Sequence, residues 1–339
     1  MKYLLTVVLC TFGLLASAQL PAYEYVVSSP RKATVELPEF RVPLKKSYKT
    51  EKSEYREPQR LFVISDIEGQ YDTLKQLLWK GGVMDRQFNW TFGKGHLVIV
   101  GDVFDRGDKV TETLWLIYSL EDKARKAGGY VHYILGNHEV MNMNGDHRYV
   151  HPRYMELAKQ NNLPYDTFYR AHTELGQWLR TKNVVEKIGN HLFMHGGVSP
   201  YMNRTGAPID TINAIARRYY GTAEDSIPSP QYIVFSDYGP MWYRGYFNTP
   251  KATPEQVDST LQLFGAKRII IGHTPVRQVS SFYGGKVINV DAPHASGGAE
   301  GLLIERKTFY RVPIRGDKVP LKEEETAGGL LPDNNKDKY

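Results

Sequence analysis

Residues 97–107 combine a short apolar run with side chains that can bind a metal and an anion. The apolar run leads directly into Gly101 and Asp102, which is typical of a buried strand that ends in a tight turn. Asp105 and Arg106 follow in the same loop. Two carboxylates beside an arginine at the carboxyl end of a strand indicate a metal ion on one side and an anion on the other.

Four further apolar runs lead into residue types that can ligate a metal. The residues that follow these runs are, in chain order, Asp66 and Glu68, Asn137 and His138, His195, and His273. A single strand that ends in such a residue is common, because Asp, Asn and Gly are frequent in ordinary turns. Five in one chain, which together supply Asp, Glu, Asn and His, indicate a shared site rather than five unrelated turns.

The first 18 residues are predicted to be a secretory signal peptide. Lys2 gives a positive start, residues 4–15 are almost wholly apolar, and Ala-Ser-Ala at 16–18 precedes Gln19. The apolar run is too short to span a membrane. We therefore expect an exported chain, periplasmic or secreted, and no membrane span.

Composition excludes several classes of function. The formal charge is +6 over 339 residues. This is a mild excess, and the sequence has no dense run of Lys and Arg of the kind that would indicate a nucleic-acid partner. The single cysteine, Cys10, lies inside the predicted signal peptide. The mature chain is therefore expected to have no cysteine nucleophile and no thiolate metal ligand.

The pattern of elements predicts an α/β fold. Residues 19–58 read as an extended N-terminal arm, and residues 59–315 as the catalytic domain. Within that domain apolar runs alternate with amphipathic helices at 72–79 and 111–126, which predicts parallel strands joined by crossover helices. A mostly helical insertion is expected at about 142–189, strands after residue 271, and a flexible tail at 316–339.

These motifs resemble those of the calcineurin-like metallophosphoesterase superfamily. Gly-Asp-x-x-Asp-Arg-Gly stands in full at 101–107, and Gly-Asn-His-Glu at 136–139. Their endings are similar to the phosphoprotein phosphatase branch, and segments 142–150 and 239–245 resemble the bacterial-type Shewanella-like phosphatases. The resemblance covers about residues 60–312. It implies an α/β/β/α sandwich of two mixed sheets flanked by helices.

The resemblance also implies two divalent metal ions. Asp102 would bridge them, and the other ligands would form two sets: Asn137, His195 and His273 for one ion, and Asp66 with Glu68 for the other. The family usually has histidine at position 68. Three carboxylates around one ion favour manganese, with magnesium, iron or zinc as alternatives. A second interpretation is that this ion site is weak or empty.

Four residues are candidates for catalysis and phosphate binding. The resemblance implies that His138 is the general acid and that Asp105 orients its ring. Arg106 and Arg244 are expected to hold the phosphate with planar, bidentate donors. Two structural alternatives stay open: Arg106 as an ion pair with Asp105, and Arg244 as a surface cation.

The favoured function is that of an exported, dimetal-dependent phosphomonoesterase. It would attack phosphorus directly with a metal-bound hydroxide, and its substrate would be a phosphorylated protein or a small phosphate ester. One alternative is a nucleotide or dinucleoside polyphosphate hydrolase. Another is a degenerate phosphate-binding or scaffold protein. The sequence does not specify the substrate, the metal or the oligomeric state.

Overall fold

A computed structural model describes residues 21–27 and 34–323 of the chain. The predicted signal peptide and most of the predicted tail lie outside these residues. None of the helices in the described part combines the length and hydrophobicity that crossing a bilayer requires.

The bounds of the regular elements follow in chain order. The strands are β1 (Thr34–Glu36), β2 (Arg41–Pro43), β3 (Glu54–Tyr55), β4 (Arg60–Ile64), β5 (His96–Val100), β6 (Tyr130–Ile134), β7 (Val185–Ile188), β8 (His191–Met194), β9 (Arg268–Ile271), β10 (Ser280–Phe282), β11 (Val287–Asn289), β12 (Glu300–Glu305), β13 (Thr308–Pro313) and β14 (Val319–Pro320). The helices are α1 (Tyr71–Lys80), α2 (Val110–Lys126), α3 (Asn137–Asn144), α4 (Pro152–Gln160), α5 (Glu174–Leu179), α6 (Pro200–Arg204), α7 (Ile209–Tyr219), α8 (Ser229–Tyr232) and α9 (Pro254–Leu263).

The first six-stranded sheet has the order β14-β13-β12-β4-β5-β6. β4, β5 and β6 are parallel, as the alternating pattern predicts, because α1 and α2 return the chain between them. β12 joins β4 in the antiparallel direction, and β13 pairs with β12. The sheet is therefore mixed.

The second six-stranded sheet has the order β10-β11-β9-β8-β7-β3. β8, β9 and β11 run parallel to one another, whereas β7 and β10 are antiparallel to their neighbours β8 and β11. The strand-rich region predicted after residue 271 is thus confirmed, and it contributes to both sheets.

The two sheets pack face to face, with helices on their outer surfaces. Alternate residues of each strand fill the layer between the sheets, for example Val63 of β4, Val100 of β5 and Ile270 of β9. Their neighbours Phe62 and Ile99 face the other way and pack with the helices. Burial on both faces explains why these strands read as continuous apolar runs. The predicted α/β/β/α architecture is confirmed.

Three segments differ from the sequence-based boundaries. Helices of the predicted insertion end at Leu179, and residues 185–188 form β7, whose Val185 and Ile188 are buried and pair with β8. The end of the predicted arm joins the second sheet, because β3 pairs with β7. Residues 319–320 of the predicted tail pair with β13. In each case partners distant in sequence supply the hydrogen bonds.

Candidate active site

The five predicted ligand segments meet at one edge of the sandwich. Asp66, Asp102 and Asn137 follow β4, β5 and β6, which are neighbours in the first sheet, and His195 and His273 follow the adjacent β8 and β9 of the second. Carboxyl ends of parallel strands point in one direction. The fold therefore brings together side chains that are up to about two hundred residues apart in sequence.

The backbone of these turns is unusual. Non-glycine residues with φ between 47° and 69° include Asp66, Glu68, Asp102, Asp105, Arg106 and His273. Such left-handed conformations cost about 1–3 kcal/mol each and persist only where the surroundings enforce them, as at functional sites. Gly101 has φ of 81°, as the predicted tight turn requires, and a Cβ there would lie 2.6 Å from His195 Nδ1.

Asp102, His195 and His273 form the centre of the site. Each offers a ligand atom, and these atoms lie within 4.8 Å of one another. His195 Nδ1 lies 2.7 Å from the Val100 carbonyl, and His273 Nε2 lies 3.0 Å from the Trp242 carbonyl. Each of these two nitrogens therefore donates to a carbonyl, which leaves the other ring nitrogen as the atom that can bind a metal.

The two remaining ring nitrogens face one another. His195 Nε2 lies 3.1 Å from His273 Nδ1 and 2.9 Å from Asp102 Oδ2. Asp66 Oδ1 is 4.0 Å from the same His195 nitrogen. Histidine ligands of metals typically donate their second nitrogen to a backbone carbonyl in this way. The donor set therefore fits a divalent cation.

Asn137 supports the same conclusion. Its Oδ1 is buried and has no hydrogen-bond partner among the described residues, whereas buried amide oxygens are normally satisfied. The residue is 2 % exposed and begins α3 directly beside Asp102, since the next backbone N–H, of His138, donates to Asp102 Oδ1 at 3.1 Å. A metal ion is a partner that this oxygen can take.

The ionisation of the cluster is strongly perturbed. Burial alone would raise the pKa of the Asp102 carboxyl, but the nearby His195 and His138 hold it below its usual range. Burial disfavours charge on His195, yet Asp102 and Asp66 raise its pKa to about 10. Burial also raises the pKa of Asp66. The site concentrates carboxylate charge that a divalent cation would neutralise.

His138 forms a hydrogen-bonded pair with Asp105. Its Nδ1 lies 2.5 Å from Asp105 Oδ2, and its Nε2 lies 3.7 Å from Asp102 Oδ2. Burial opposes a charge on this ring, but Asp102 and Asp105 raise its pKa above the usual value. Asn142 fixes the carboxylate by donating to Asp105 Oδ1 at 2.8 Å. The arrangement keeps Nε2 available to hold a proton near the ligand cluster.

Glu139 has a structural role that the sequence analysis did not assign. Its carboxylate accepts the backbone N–H groups of Asp102, Val103 and Gly136 at 2.6–3.0 Å, and the Tyr133 hydroxyl at 2.9 Å. This buried side chain therefore ties the turn after β5 to the turn after β6. It fixes the relative positions of the two loops that carry Asp102 and His138.

Glu68 lies at the rim of the site and pairs with Arg106. Its Oε1 accepts a hydrogen bond from Arg106 Nη1. Burial raises the pKa of Glu68 to about 8, although Arg106 opposes the shift. Glu68, Asp102 and His138 also offer ligand atoms within 4.8 Å of one another. Position 68 is thus close enough to join a second metal site.

Arg244 contacts the turn that carries His273. Its Nη1 donates to the His273 carbonyl, and its Nη2 lies 3.4 Å from His273 Nδ1. Burial lowers the pKa of its guanidinium, which Asp291 and Asp66 partly offset. The structure therefore brings this residue to the site, where it lines the same pocket as Arg106.

The pocket has a volume of about 160 Å³ and opens over the ligand cluster. Two of its titratable residues were not predicted to belong to the site: Asp291, which is 7 % exposed, and His294, whose Nε2 lies 2.7 Å from the Ser65 carbonyl. Asp291 directly follows the apolar run at 287–290. The pattern that identified the other ligands, a mostly apolar run followed by a metal-binding residue type, therefore also indicates Asp291. No sequence pattern indicates His294.

Comparison with known proteins identifies the family. The family described as calcineurin-like phosphoesterase matches residues 59–277, which include all ten predicted site residues. The chain belongs to this family. The family depends on two metal ions, in agreement with the donor set described above.

Relatives narrow the assignment further. The structure of a cold-active protein-tyrosine phosphatase from a psychrophilic Shewanella species has a TM-score of 0.81 and 38% identity, over 86% of this chain and 90% of that chain. Shewanella-like protein phosphatase 2 of Arabidopsis thaliana is 26% identical over 83% of each chain. An uncharacterised protein of Schizosaccharomyces pombe is 32% identical over an aligned region that spans 64% of this chain and 68% of that protein.

These similarities place the chain among the Shewanella-like branch that its motifs predicted. The protein is a hydrolase that acts on phosphoric esters, with a metallophosphoesterase domain. The ligand cluster, the His138–Asp105 pair and the two arginines of the pocket are the candidates for this chemistry.

Proposed function

We propose that the protein is an exported phosphomonoesterase that uses two divalent metal ions, with a phosphorylated protein or a small phosphate ester as its substrate. One observation carries the proposal. Asp102 and His273 of the ligand cluster line one pocket together with His138, Arg106 and Arg244, and the buried His195 and Asp105 lie directly behind Asp102 and His138. Hydrolysis of a phosphate ester needs this combination of charge neutralisation, a proton donor and phosphoryl positioning.

The ligands would divide between two ions, with Asp102 shared. Asn137, His195 and His273 would complete one set, and Asp66 and Glu68 the other. When bound, the two ions activate water and withdraw charge from the phosphoryl oxygens. Manganese is the metal that we favour, because the second set contains only carboxylate oxygens.

The remaining steps belong to side chains of this chain. Arg106 and Arg244 would grip the phosphoryl oxygens from two sides and fix the direction of attack. His138 would give its Nε2 proton to the leaving-group oxygen, since Asp105 holds the ring and favours its protonated form. Asn142 would keep Asp105 in place for that transfer.

The test uses purified chain reconstituted with manganese, magnesium, iron or zinc. We expect hydrolysis of an aryl phosphate and of phosphopeptides, with the Asp102→Asn variant losing both bound metal and activity. A panel of phosphotyrosine and phosphoserine peptides, a nucleoside monophosphate and a dinucleoside tetraphosphate separates the substrate classes. Faster cleavage of the dinucleotide would replace the proposal by the nucleotide alternative. Metal-loaded protein that hydrolyses none of them would support the degenerate, phosphate-binding alternative.

A further inference from the structure

A second pocket lies at the opposite ends of β8 and β9 from the active site. His191 and Arg268 are the first residues of these strands, whereas His195 and His273 follow their last residues. A strand of this length separates the two ends by roughly 13 Å. The pocket, about 250 Å³ in volume, is lined by Glu57, Asn190, His191, Lys267, Arg268, Lys307 and Phe309. We call it the basic pocket.

The basic pocket carries an excess of positive charge. Lys267, Arg268 and Lys307 face one carboxylate, that of Glu57. Within residues 21–27 and 34–323 none of the three cations forms an ion pair. For the half-buried Arg268 this is a difference from other buried or half-buried cations such as Lys182 and Arg311, which have a carboxylate partner. A group of like charges held together without counterions raises the local affinity for an anion.

A buried polar atom in the pocket is also unsatisfied. His191 is 3 % exposed, and its Nδ1 has no hydrogen-bond partner among the described residues. Its other nitrogen, Nε2, lies 3.5 Å from Glu57 Oε1. Buried ring nitrogens are normally paired. Because the Nε2 N–H is directed at the Glu57 carboxylate, Nδ1 is a hydrogen-bond acceptor, and the O–H of a hydrogen phosphate ion would give it the partner that the described residues do not supply.

The remaining wall is aromatic. The Arg268 guanidinium lies 4.6 Å from the Phe309 ring centroid, and the His191 ring meets the same ring edge-on at 5.7 Å. Stacking on Phe309 restricts the rotamers of the Arg268 side chain. Less conformational entropy is therefore lost when its guanidinium N–H groups bind the oxygens of an anion. The backbone N–H groups of Lys267 and Arg268 are already occupied by the Asn190 carbonyl. These backbone groups are thus not free to bind an anion, and any anion in the basic pocket would be bound by side chains.

We propose that the basic pocket is a second anion site that binds a phosphate dianion, either free or as the phosphoryl group of a small molecule. The charge of the pocket matches two negative charges, Arg268 supplies a planar pair of donors, and His191 Nδ1 supplies a further polar contact. A metal ion is disfavoured there because three cations line the pocket. The site is separate from the catalytic pocket, with which it shares none of its lining residues.

The experiment is isothermal titration of the metal-loaded full chain with inorganic phosphate at constant ionic strength. The proposed catalytic pocket would also bind phosphate, through its arginines and its bound ions, so the titration is made in an Arg106→Ala/Arg244→Ala background. We expect a binding event in this background that is distinguished from binding at the metal ions by its dependence on the lysines of the basic pocket. The further change Lys267→Gln/Lys307→Gln should weaken it by roughly tenfold or more, since two charge-assisted contacts are lost. Both lysines are exposed, so the fold should survive.

The control replaces two other exposed lysines, Lys94→Gln/Lys251→Gln, and removes the same net charge. It should leave the binding event unchanged. Titration with phenylphosphonate, which is not hydrolysed, separates the two sources of the anion: tighter binding than inorganic phosphate indicates an organic ligand, and equal or weaker binding indicates the free ion. The proposal is overturned if the background shows no binding, or if the pocket and control variants bind phosphate equally.

Discussion

At the scale of single residues, His138 is restrained by a chain of buried polar contacts. Asn142 donates to Asp105, Asp105 pairs with His138, and the Tyr165 hydroxyl donates to Asn142 Oδ1 at 2.8 Å. None of these residues belongs to the group of Asp102, His195 and His273, and the only one in the second group, with Glu68 and Asp102, is His138, whose Nδ1 is taken by Asp105. Proton transfer and metal binding should therefore be separable by mutation.

We predict that His138→Asn keeps the bound metal but lowers the turnover rate by roughly two to four orders of magnitude, as expected for loss of a general acid. The loss should shrink for aryl phosphates with very acidic leaving groups, which need little protonation. Metal content and rates across a leaving-group series measure both effects. Asp102→Asn is the comparison, since it should lose metal and rate together. Loss of metal from His138→Asn would contradict the assigned role.

Glu68 is the position at which this chain departs from its family. We predict that Glu68→Ala loses one of two metal ions, because the carboxylate lies beside Asp102 and is held by Arg106. Glu68→His should restore a nitrogen donor and shift the preferred metal from manganese toward zinc or iron. Metal analysis and rates across a metal series are the measurements.

The exposed Glu255→Ala is the matched control for Glu68→Ala and should change neither metal content nor rate. Equal metal content in wild type and Glu68→Ala would show that Glu68 serves only as the partner of Arg106. In that case a lower rate with full metal content would point to a displaced Arg106.

At the scale of secondary-structure elements, a buried ion cluster joins α2 to the N-terminal arm and to the segment after α5. Glu121 of α2 accepts hydrogen bonds from Lys182 at 2.6 Å, from Trp178 Nε1 at 2.9 Å and from Lys45 of the arm. Lys182 and Glu121 are each no more than 2 % exposed. Both oxygens of this carboxylate are therefore satisfied inside the protein.

We predict that Glu121→Gln lowers the free energy of unfolding by about 3–5 kcal/mol, because it leaves the buried Lys45 ammonium without its carboxylate partner and leaves Lys182 with Glu51 alone. Urea unfolding at pH 7 measures the change. Glu305→Gln removes the partly exposed partner of two surface cations, Lys318 and Arg60, and should cost no more than about 1 kcal/mol. Equal losses in the two variants would contradict the importance of burial.

The difference in unfolding free energy between wild type and Glu121→Gln depends on pH through the pKa shifts of Glu121 and Lys182. Burial opposes charge on Glu121, but Lys182 and Lys45 lower its pKa to about 2. Its stabilising contribution is therefore present above its usual pKa of 4.5 and is lost as the pH falls toward 2. Burial likewise opposes charge on Lys182, but Glu121 raises its pKa to about 12. That contribution is present below the usual pKa of 10.5 and is lost as the pH rises through 12.

We therefore predict that the difference in unfolding free energy between wild type and Glu121→Gln is constant from about pH 5 through neutral pH. On the alkaline side it falls first through Lys45, because burial lowers the pKa of this partner of Glu121. It should also decrease at the acid end. Unfolding curves at pH 5, 7 and 9 test this. A difference that falls steadily between pH 7 and pH 5 would show that Glu121 is not held in its charged form.

At the scale of the whole molecule, short sequence patterns predicted those features that depend only on residues close together in the chain, namely strand ends and amphipathic helices. Apolar runs followed by Asp, Asn or His and a nearby glycine located the strand ends, since strand burial and turn geometry are encoded within a few residues. The amphipathic patterns located α1 and α2 within one residue at most ends. The order of five strand ends then sufficed to assemble the candidate site.

Features that depend on distant partners were not predictable from the sequence. β3 and β14 are two-residue strands whose hydrogen bonds come from β7 and β13. The Glu68–Arg106 pair and the contacts of Glu139 with the backbone N–H groups of Asp102 and Val103 arise only when separate loops meet. Their residue types are common in loops, so neither spacing nor composition marks them.

The start of the described chain bears on the proposed export. The Tyr23 carbonyl accepts a hydrogen bond from Trp115 Nε1 at 2.9 Å, Glu24 pairs with Arg153 at 2.5 Å, and the Val26 carbonyl accepts the Glu174 N–H at 2.7 Å. These contacts anchor the arm on the catalytic domain. Signal cleavage that removed them would weaken the folded protein, whereas cleavage at the predicted position keeps all of them.

We therefore predict that the mature protein begins at Gln19 or within about two residues of it, after the Ala-Ser-Ala sequence at 16–18. Cell fractionation and intact-mass analysis of protein from the native host measure this. Ala18→Arg should block cleavage and leave the full precursor in the membrane fraction. Thr34→Arg adds the same charge at an exposed position outside the cleavage region and should be processed normally. Mature protein that retains Met1 would contradict export, and a mature start beyond Val26 would contradict the anchoring role of the arm.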